Sequence, residues 1–134
     1  MAAAVLVGCG GGKGPATTPE GTVQTMVAAI QAGDALGLAG LYDYTESAKA
    51  QNENWGEIPK GQQDLILKEE AKRNAAALEP GLEKLKAEYQ GAKVGTAQVN
   101  GETATVPVET GKGSRTFVLV QREGKWYLVG GVVQ

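Results

Sequence analysis

The side chains best suited to chemistry in this chain stand together at Tyr42-Asp43-Tyr44, with Trp55 a short distance on. A compact acid and tyrosine cluster of this kind is open to acid-base chemistry through Asp43 and the tyrosines. The same residues have plainer roles open to them: Tyr42 as a core ring closing a helix, Asp43 as a solvated acid at a helix end. The rest of the inventory narrows the chemistry. The 134 residues include no histidine and a single cysteine, Cys9. That excludes the usual zinc sites, an intramolecular disulfide, and any Ser-His or Cys-His nucleophile-base pair. No metal and no cofactor is expected. The net charge of -2 arises from 13 basic and 15 acidic residues spread along the chain, without a basic stripe, so nucleic acid is not an expected partner.

The elements that must hold these residues are helices first and strands last. Thr18-Pro19-Glu20 is a helix start, with a capping hydroxyl, a proline at the first position and an acid at the positive end of the dipole. Val23, Met26, Val27 and Ile30 then share one face, and Gly33 ends the helix. Asp34 caps a second, shorter helix in which Leu38, Leu41 and Tyr42 share a face. From Thr45 to Gly61 the residues are mostly polar and read as a long loop or frayed helix. A third helical region spans about Gln62 to Tyr89, with Leu67, Ala71, Ala75 (or Asn74), Leu78, Leu82, Leu85 and Tyr89 inward, and Pro80-Gly81 kinking or dividing it.

Four β-rich segments fill the stretch from Val94 to Val133, separated by Asn100-Gly101, Gly111-Lys112-Gly113 and Glu123-Gly124. Local hairpins suffice to assemble them. Ala104, Val106 and Val108 alternate with Thr103, Thr105 and Pro107, the period of a sheet buried on one side. Pro107 cannot donate to a ladder, which predicts an edge or a bulge there. Thr116-Phe117-Val118-Leu119-Val120 is apolar beyond its first residue and is expected to be central, covered on both faces or lining a cavity. In the last strand Trp126, Leu128 and Val132 fall on one side, and Tyr127, Val129 and Val133 on the other. With aromatics at 5% of the chain, aliphatic side chains must fill most of the core.

Composition changes abruptly at Cys9. Apolar and small residues, ending in Leu6-Val7-Gly8, give way to Gly10-Gly11-Gly12-Lys13-Gly14-Pro15-Ala16-Thr17-Thr18. Leu6-Val7-Gly8-Cys9 resembles the lipobox of bacterial lipoproteins, which implies cleavage before Cys9 and a lipid on its thiol, although no Lys or Arg precedes it as in a usual signal segment. On this reading residues 1–8 are a truncated signal-peptide-like segment, 9–18 a lipidated cysteine and tether, and 19–134 a single domain. A tether of this composition has an r.m.s. span of roughly 15 to 18 Å, and more than one acyl chain is needed for lasting anchorage. The implied place is the bacterial cell envelope, in a two-membrane cell the outer membrane facing the periplasm.

Helices followed by a meander whose last hairpin reads Gly124-Lys125-Trp126-Tyr127-Leu128-Val129, together with Ile30-Gln31-Ala32-Gly33-Asp34-Ala35, resemble the cystatin-like and ketosteroid-isomerase-like superfamily, also called nuclear-transport-factor-two-like. The small secreted or lipid-anchored members described as lumazine-binding-like are the nearest in kind. The resemblance implies an α+β fold, N-terminal helices packed on a curved antiparallel sheet of about four strands around a conical pocket. The catalytic set of the isomerases does not map onto this sequence residue by residue, so no catalytic residue is assigned. A ligand pocket is expected near Tyr42, Asp43, Tyr44 and Trp55, against a wall running from Phe117 to Leu119. The favoured function is an anchored, non-catalytic domain binding a small apolar ligand or an envelope protein. Acid-base chemistry through Asp43 and the tyrosines, or an interaction module using the charge-laced helix from Lys68 to Glu88, are the alternatives; the oligomeric state is left open.

Overall fold

The structure is a computed structural model that describes residues 14–129. Cys9, the segment around it, Gly130-Gly131, Val132 and Val133 lie outside the described residues. Helix α1 (Pro19–Ala32) starts as its residues dictate. The Thr18 hydroxyl accepts the N–H of Gly21 at 3.0 Å and Pro19 occupies the first turn. Val23, Met26, Val27 and Ile30 are all buried on its inner face. Beyond Gly33, Asp34 caps α2 (Ala35–Ala39) by accepting the N–H of Gly37 at 2.9 Å.

The stretch expected to be loop or frayed helix instead forms helix α3 (Thr45–Gln51) and a single 3-10 turn, Trp55–Glu57. Its start is fixed by Asp43, whose Oδ1 accepts the N–H of Thr45 at 3.0 Å. Apart from the buried Ala48, α3 carries no apolar stripe by which periodicity could reveal it. The long amphipathic region divides at the proline, as expected, into α4 (Lys60–Leu78), a 3-10 turn (Glu79–Gly81) and α5 (Leu82–Glu88). Ala71, Ala75, Leu78, Leu82 and Tyr89 are buried, with Leu67 and Leu85 half-buried.

The sheet is antiparallel throughout. Its strands are β1 (Lys93–Val94), β2 (Gln98–Asn100), β3 (Thr103–Thr110), β4 (Gly113–Arg122) and β5 (Lys125–Leu128). Both β1 and β2 pair with β3, so the sheet is four strands wide, with β4 between β3 and β5. The β4–β5 hairpin turns on Glu123 (φ 52°) and Gly124 (φ 81°), two left-handed residues whose twist matches that of the strands. Beyond β5 the chain at Tyr42 adds a parallel bridge to Leu128, where the Leu128 N–H donates to the Leu41 carbonyl and the Asp43 N–H to the Leu128 carbonyl, each at 2.8 Å. The result is α+β, N-terminal helices packed on an antiparallel sheet.

Pro107 is not on an edge, because β3 has partners on both sides. The break lies in the strand opposite. Val94 pairs with Val108 and Gln98 with Thr105, which leaves three residues, 95–97, facing two, 106–107. The missing proline donor faces this interruption. Gly95 donates to the Pro107 carbonyl at 2.8 Å, and a Cβ on Gly95 would lie 2.8 Å from the proline Cγ, so only glycine fits without displacement. The Ala97 N–H, turned away from the ladder, donates to Glu20 Oε2 at 3.0 Å and holds that carboxyl below its usual range.

Ala104, Val106, Val108, Phe117, Leu119, Trp126 and Leu128 form the buried face of the sheet under the helices. Thr22 fastens α1 to it: its hydroxyl donates to the Trp126 carbonyl at 2.8 Å and accepts the Ala16 N–H at 2.9 Å. The Trp126 N–H donates to the Ala16 carbonyl at 2.9 Å, so Ala16, which the sequence places in the tether, is held against β5. The expectation that β4 is covered on both faces fails: Val118, between buried Phe117 and Leu119, is 46% exposed, because the helices cover only the other face at this point.

Candidate functional site

The parallel bridge at Tyr42 places Asp43 beside the end of β4. Asp43 Oδ2 accepts from Arg122 Nε at 2.9 Å, while Oδ1 accepts the Thr45 N–H. The Asp43 side chain is 8% exposed, so it is not the solvated helix-end acid that its sequence position suggested. An arginine from a distant strand has come to meet it. Arg122 Nη2 also reaches Glu46 Oε2 at 3.4 Å, tying α3 to the same guanidinium.

Helix α4 closes the other side. Lys60, Asp64, Leu67, Lys68 and Ala71 recur at helical spacing and face the Tyr42–Thr45 segment and the β4–β5 hairpin across a cleft of about 430 Å³. Lys60 Nζ bonds Glu123 Oε2 at 3.0 Å and lies 3.6 Å from Asp64 Oδ1, joining the helix start to the hairpin tip. The Glu123 bond and the Asp64 charge raise the Lys60 pKa. Tyr42 and Tyr44 line the inner wall, with ring centroids 6.5 Å apart and planes tilted by 42°. Tyr44 donates to the Ala39 carbonyl at 2.6 Å and accepts from Asn74 Nδ2 at 2.9 Å. Burial raises its pKa, with the Glu70 charge adding to the rise and the Asn74 bond opposing it. Tyr127 enters from β5, and burial followed by the charges of Glu123 and Asp43 pushes its pKa up as well.

Of the residues singled out in the sequence, Tyr42, Asp43 and Tyr44 come together in this cleft. Trp55, Phe117 and Leu119 do not. Trp55 sits half-buried in the 3-10 turn, its carbonyl accepting from Gln63 Nε2 at 2.7 Å. Phe117 and Leu119 belong to the core. Strand register separates them from the site, since Leu119 pairs with Leu128 on the buried face whereas Arg122 and Tyr127 have the opposite parity. Leu67 was visible in the helix periodicity but not as part of a wall, Lys60 fell in the stretch expected to be loop although the helix begins there, and nothing local marks Arg122 as the partner of Asp43.

Chemically, the cleft is a set of closed ion pairs around rings and a leucine. Each Asp43 oxygen accepts one hydrogen bond, from the Thr45 N–H and from Arg122, so the carboxylate is built into the wall as the partner of a guanidinium while each oxygen keeps a second lone pair. Among the described residues no group of three or more His, Cys, Asp or Glu could hold a metal ion, and no helix is long and apolar enough to cross a membrane.

No protein-family model matches the chain, and no curated protein matches it either. Among solved structures the chain is similar to one from Campylobacter jejuni described as a "Putative NTF2-like transpeptidase", at 12% identity and a TM-score of 0.49, covering 85% of this chain and 99% of that one.

Proposed function

We propose that the protein is a non-catalytic binding domain of the bacterial envelope, lipid-anchored through Cys9, which takes a small ligand in the cleft between α4, the Tyr42–Thr45 segment and the β4–β5 hairpin. The observation that carries this is the engagement of both Asp43 oxygens, by Arg122 and by the Thr45 N–H. The residue best suited to be a base is used to build the wall. Ion pairs alternate with Tyr42, Tyr127 and Leu67 around a volume typical of small-molecule sites, so the ligand that fits is amphiphilic rather than wholly apolar. Self-association through α4 has less support, since Glu69–Lys72 and Glu70–Arg73 pair within the helix.

The place of the tether supports the anchored reading. Ala16 is bonded to Trp126, the neighbour of Tyr127 in the cleft wall. The chain from Cys9 to Ala16 spans at most roughly 25 Å when extended, so an anchored domain would hold its cleft near the membrane. The test is fractionation of bacteria expressing the full chain or Cys9→Ser, with intact mass of the product and a thermal-shift screen of small amphiphiles on the soluble variant. Membrane-bound protein with acyl mass, lost in Cys9→Ser, and stabilising amphiphiles whose effect Tyr127→Ala removes, are expected. An unmodified soluble chain sinks the anchor. Turnover of any screened compound that Asp43→Asn abolishes would replace binding with catalysis.

A further inference from the structure

We propose that the outer face of the sheet seats a second copy of this chain, the two sheets packing face to face and end for end. Val118 and Val129 stand side by side on that face, 46% and 44% exposed, with the Val129 N–H bonded to the Val118 carbonyl. Register puts Val120 and Tyr127 in the next row of the same face. Across on β3, Thr105 and Thr103 pair with Val118 and Val120, and Pro107 pairs with Thr116. Charge enters only at the ends of the face, with Glu109 and Lys93 at one and Arg122 and Lys125 at the other. An uncharged, partly apolar centre with charges at its rim is the composition of a protein interface.

The ends of the face point to a second copy as its occupant. Arg122 is committed to Asp43. Lys125 and Glu109 are both exposed, and neither has an ion pair among the described residues, although Lys93 is the register partner of Glu109. They stand on different strands at opposite ends of the face. A two-fold axis lying between two such faces presents the same patch from both sides. With one sheet turned end for end and the strands crossed by roughly 30°, as aligned sheets pack, each Lys125 comes over the partner's Glu109. One isologous contact thus closes both pairs. Each same-face residue occupies about 4.8 by 6.8 Å of sheet, so the face spans roughly 500 Å² in projection and more in accessible surface, near the roughly 800 Å² per partner of a standard interface. Tyr127 belongs both to this face and to the cleft wall, so the partner would border the cleft.

The experiment is sedimentation equilibrium of the full chain as the soluble Cys9→Ser form, which also prevents a disulfide dimer, at concentrations from about 1 to about 300 µM. An equilibrium between monomer and dimer with a Kd on the order of 10 µM is expected. Val118→Lys, at an exposed position, should weaken it at least about tenfold while leaving the urea midpoint of the dilute monomer unchanged. Lys125→Glu and Glu109→Lys should each weaken it about tenfold, since every reversal acts twice in an isologous contact, and the double reversal should restore it. A chain that stays monomeric throughout overturns the second copy as occupant and leaves the face to a foreign protein. A dimer indifferent to Val118→Lys lies elsewhere on the molecule and overturns the surface. Charge reversals without effect, or without rescue in the double variant, overturn the end-for-end arrangement.

Discussion

Thr22→Val removes one hydroxyl and leaves the volume of the side chain almost unchanged, so it isolates the junction between α1, β5 and the chain ahead of α1. Thr22 is fully buried, and its hydroxyl makes two bonds, donating to the Trp126 carbonyl at 2.8 Å and accepting the Ala16 N–H at 2.9 Å. Valine cannot replace either. The Trp126 carbonyl, in a residue 4% exposed, loses its side-chain donor, and leaving a buried acceptor unmet costs about 1–3 kcal/mol. Ala16 is half-buried, so its N–H recovers water and adds only a few tenths. The expected loss is about 1–3 kcal/mol, a substantial part of the roughly 5–15 kcal/mol by which a domain is stable. In urea, where m is about 1–3 kcal/mol per molar, the midpoint should fall by about 1–2 M with m unchanged. Thr22→Ser keeps both bonds and should lose only the methyl contribution, about 1 kcal/mol. Since a hydroxyl does not titrate here, the valine loss should be equal at pH 5 and pH 8. Thr22→Val as stable as Thr22→Ser would refute the bridging role.

Gly95→Ala should destabilise by about 1–3 kcal/mol through overpacking against Pro107, and Pro107→Ala should relieve part of that cost, a coupling visible in a double-mutant cycle by urea unfolding. Identical costs in both backgrounds would remove the contact as the reason for glycine. Glu88 gives a pH signature. Burial alone raises its pKa, but the bonds from Arg115 and the Thr110 hydroxyl, with the charges of Arg115 and Lys112, outweigh burial and hold it below the ordinary 4.5. A depressed folded pKa contributes stability above the unfolded value and loses it as pH falls through the folded one. The stability deficit of Glu88→Gln relative to the parent should therefore be full at pH 7 and shrink below about pH 4.5. A deficit that stays constant down to pH 3 would show that the ion pair contributes nothing. Asp43→Asn keeps a Thr45 cap but loses the charge that faces Arg122, so α3 should fray first, seen as faster amide exchange at Ala48 than at Leu119; equal protection would argue that Asp43 does not seat α3.

Periodicity and punctuation carried most of the fold. Thr18, Gly33, Asp34, Pro80 and the three hairpin turns act within a few residues of themselves, and each does in the structure what its chemistry required locally. Helix α3 was not legible, because its seven residues present the small Ala48 to the interior and owe their start to an aspartate held by a distant arginine. Pro107 was read correctly as a disturbance, but the sequence could not say which strand yields. The answer lay in Gly95, on the partner, where the proline ring leaves no room for a side chain. Val118 misled for a related reason: an apolar run looks covered on both faces whether or not a second layer exists to cover it.

The candidate site was legible in half of its parts, and the missing half changes its chemistry. Tyr42, Asp43 and Tyr44 are contiguous and could be found by inspection. The partner of Asp43 is 79 residues away, and the residues facing it on α4 looked like an ordinary solvated stripe. An acid between two tyrosines reads as a base only while its counter-charge is unknown. Once Arg122 is in place, the same acid becomes a strut that holds a guanidinium at the cleft wall. The parity of β4 and β5 does the rest. By putting Phe117, Leu119, Trp126 and Leu128 under the helices, it spends the large apolar side chains on the core and leaves Arg122 and Tyr127 on the other side. A pocket walled by Phe117 and Leu119 would require moving them out of that core, at a cost of about 1.5–3 kcal/mol for each side chain exposed. The cleft beside Asp43 requires no such rearrangement, which is why the search for a ligand belongs there.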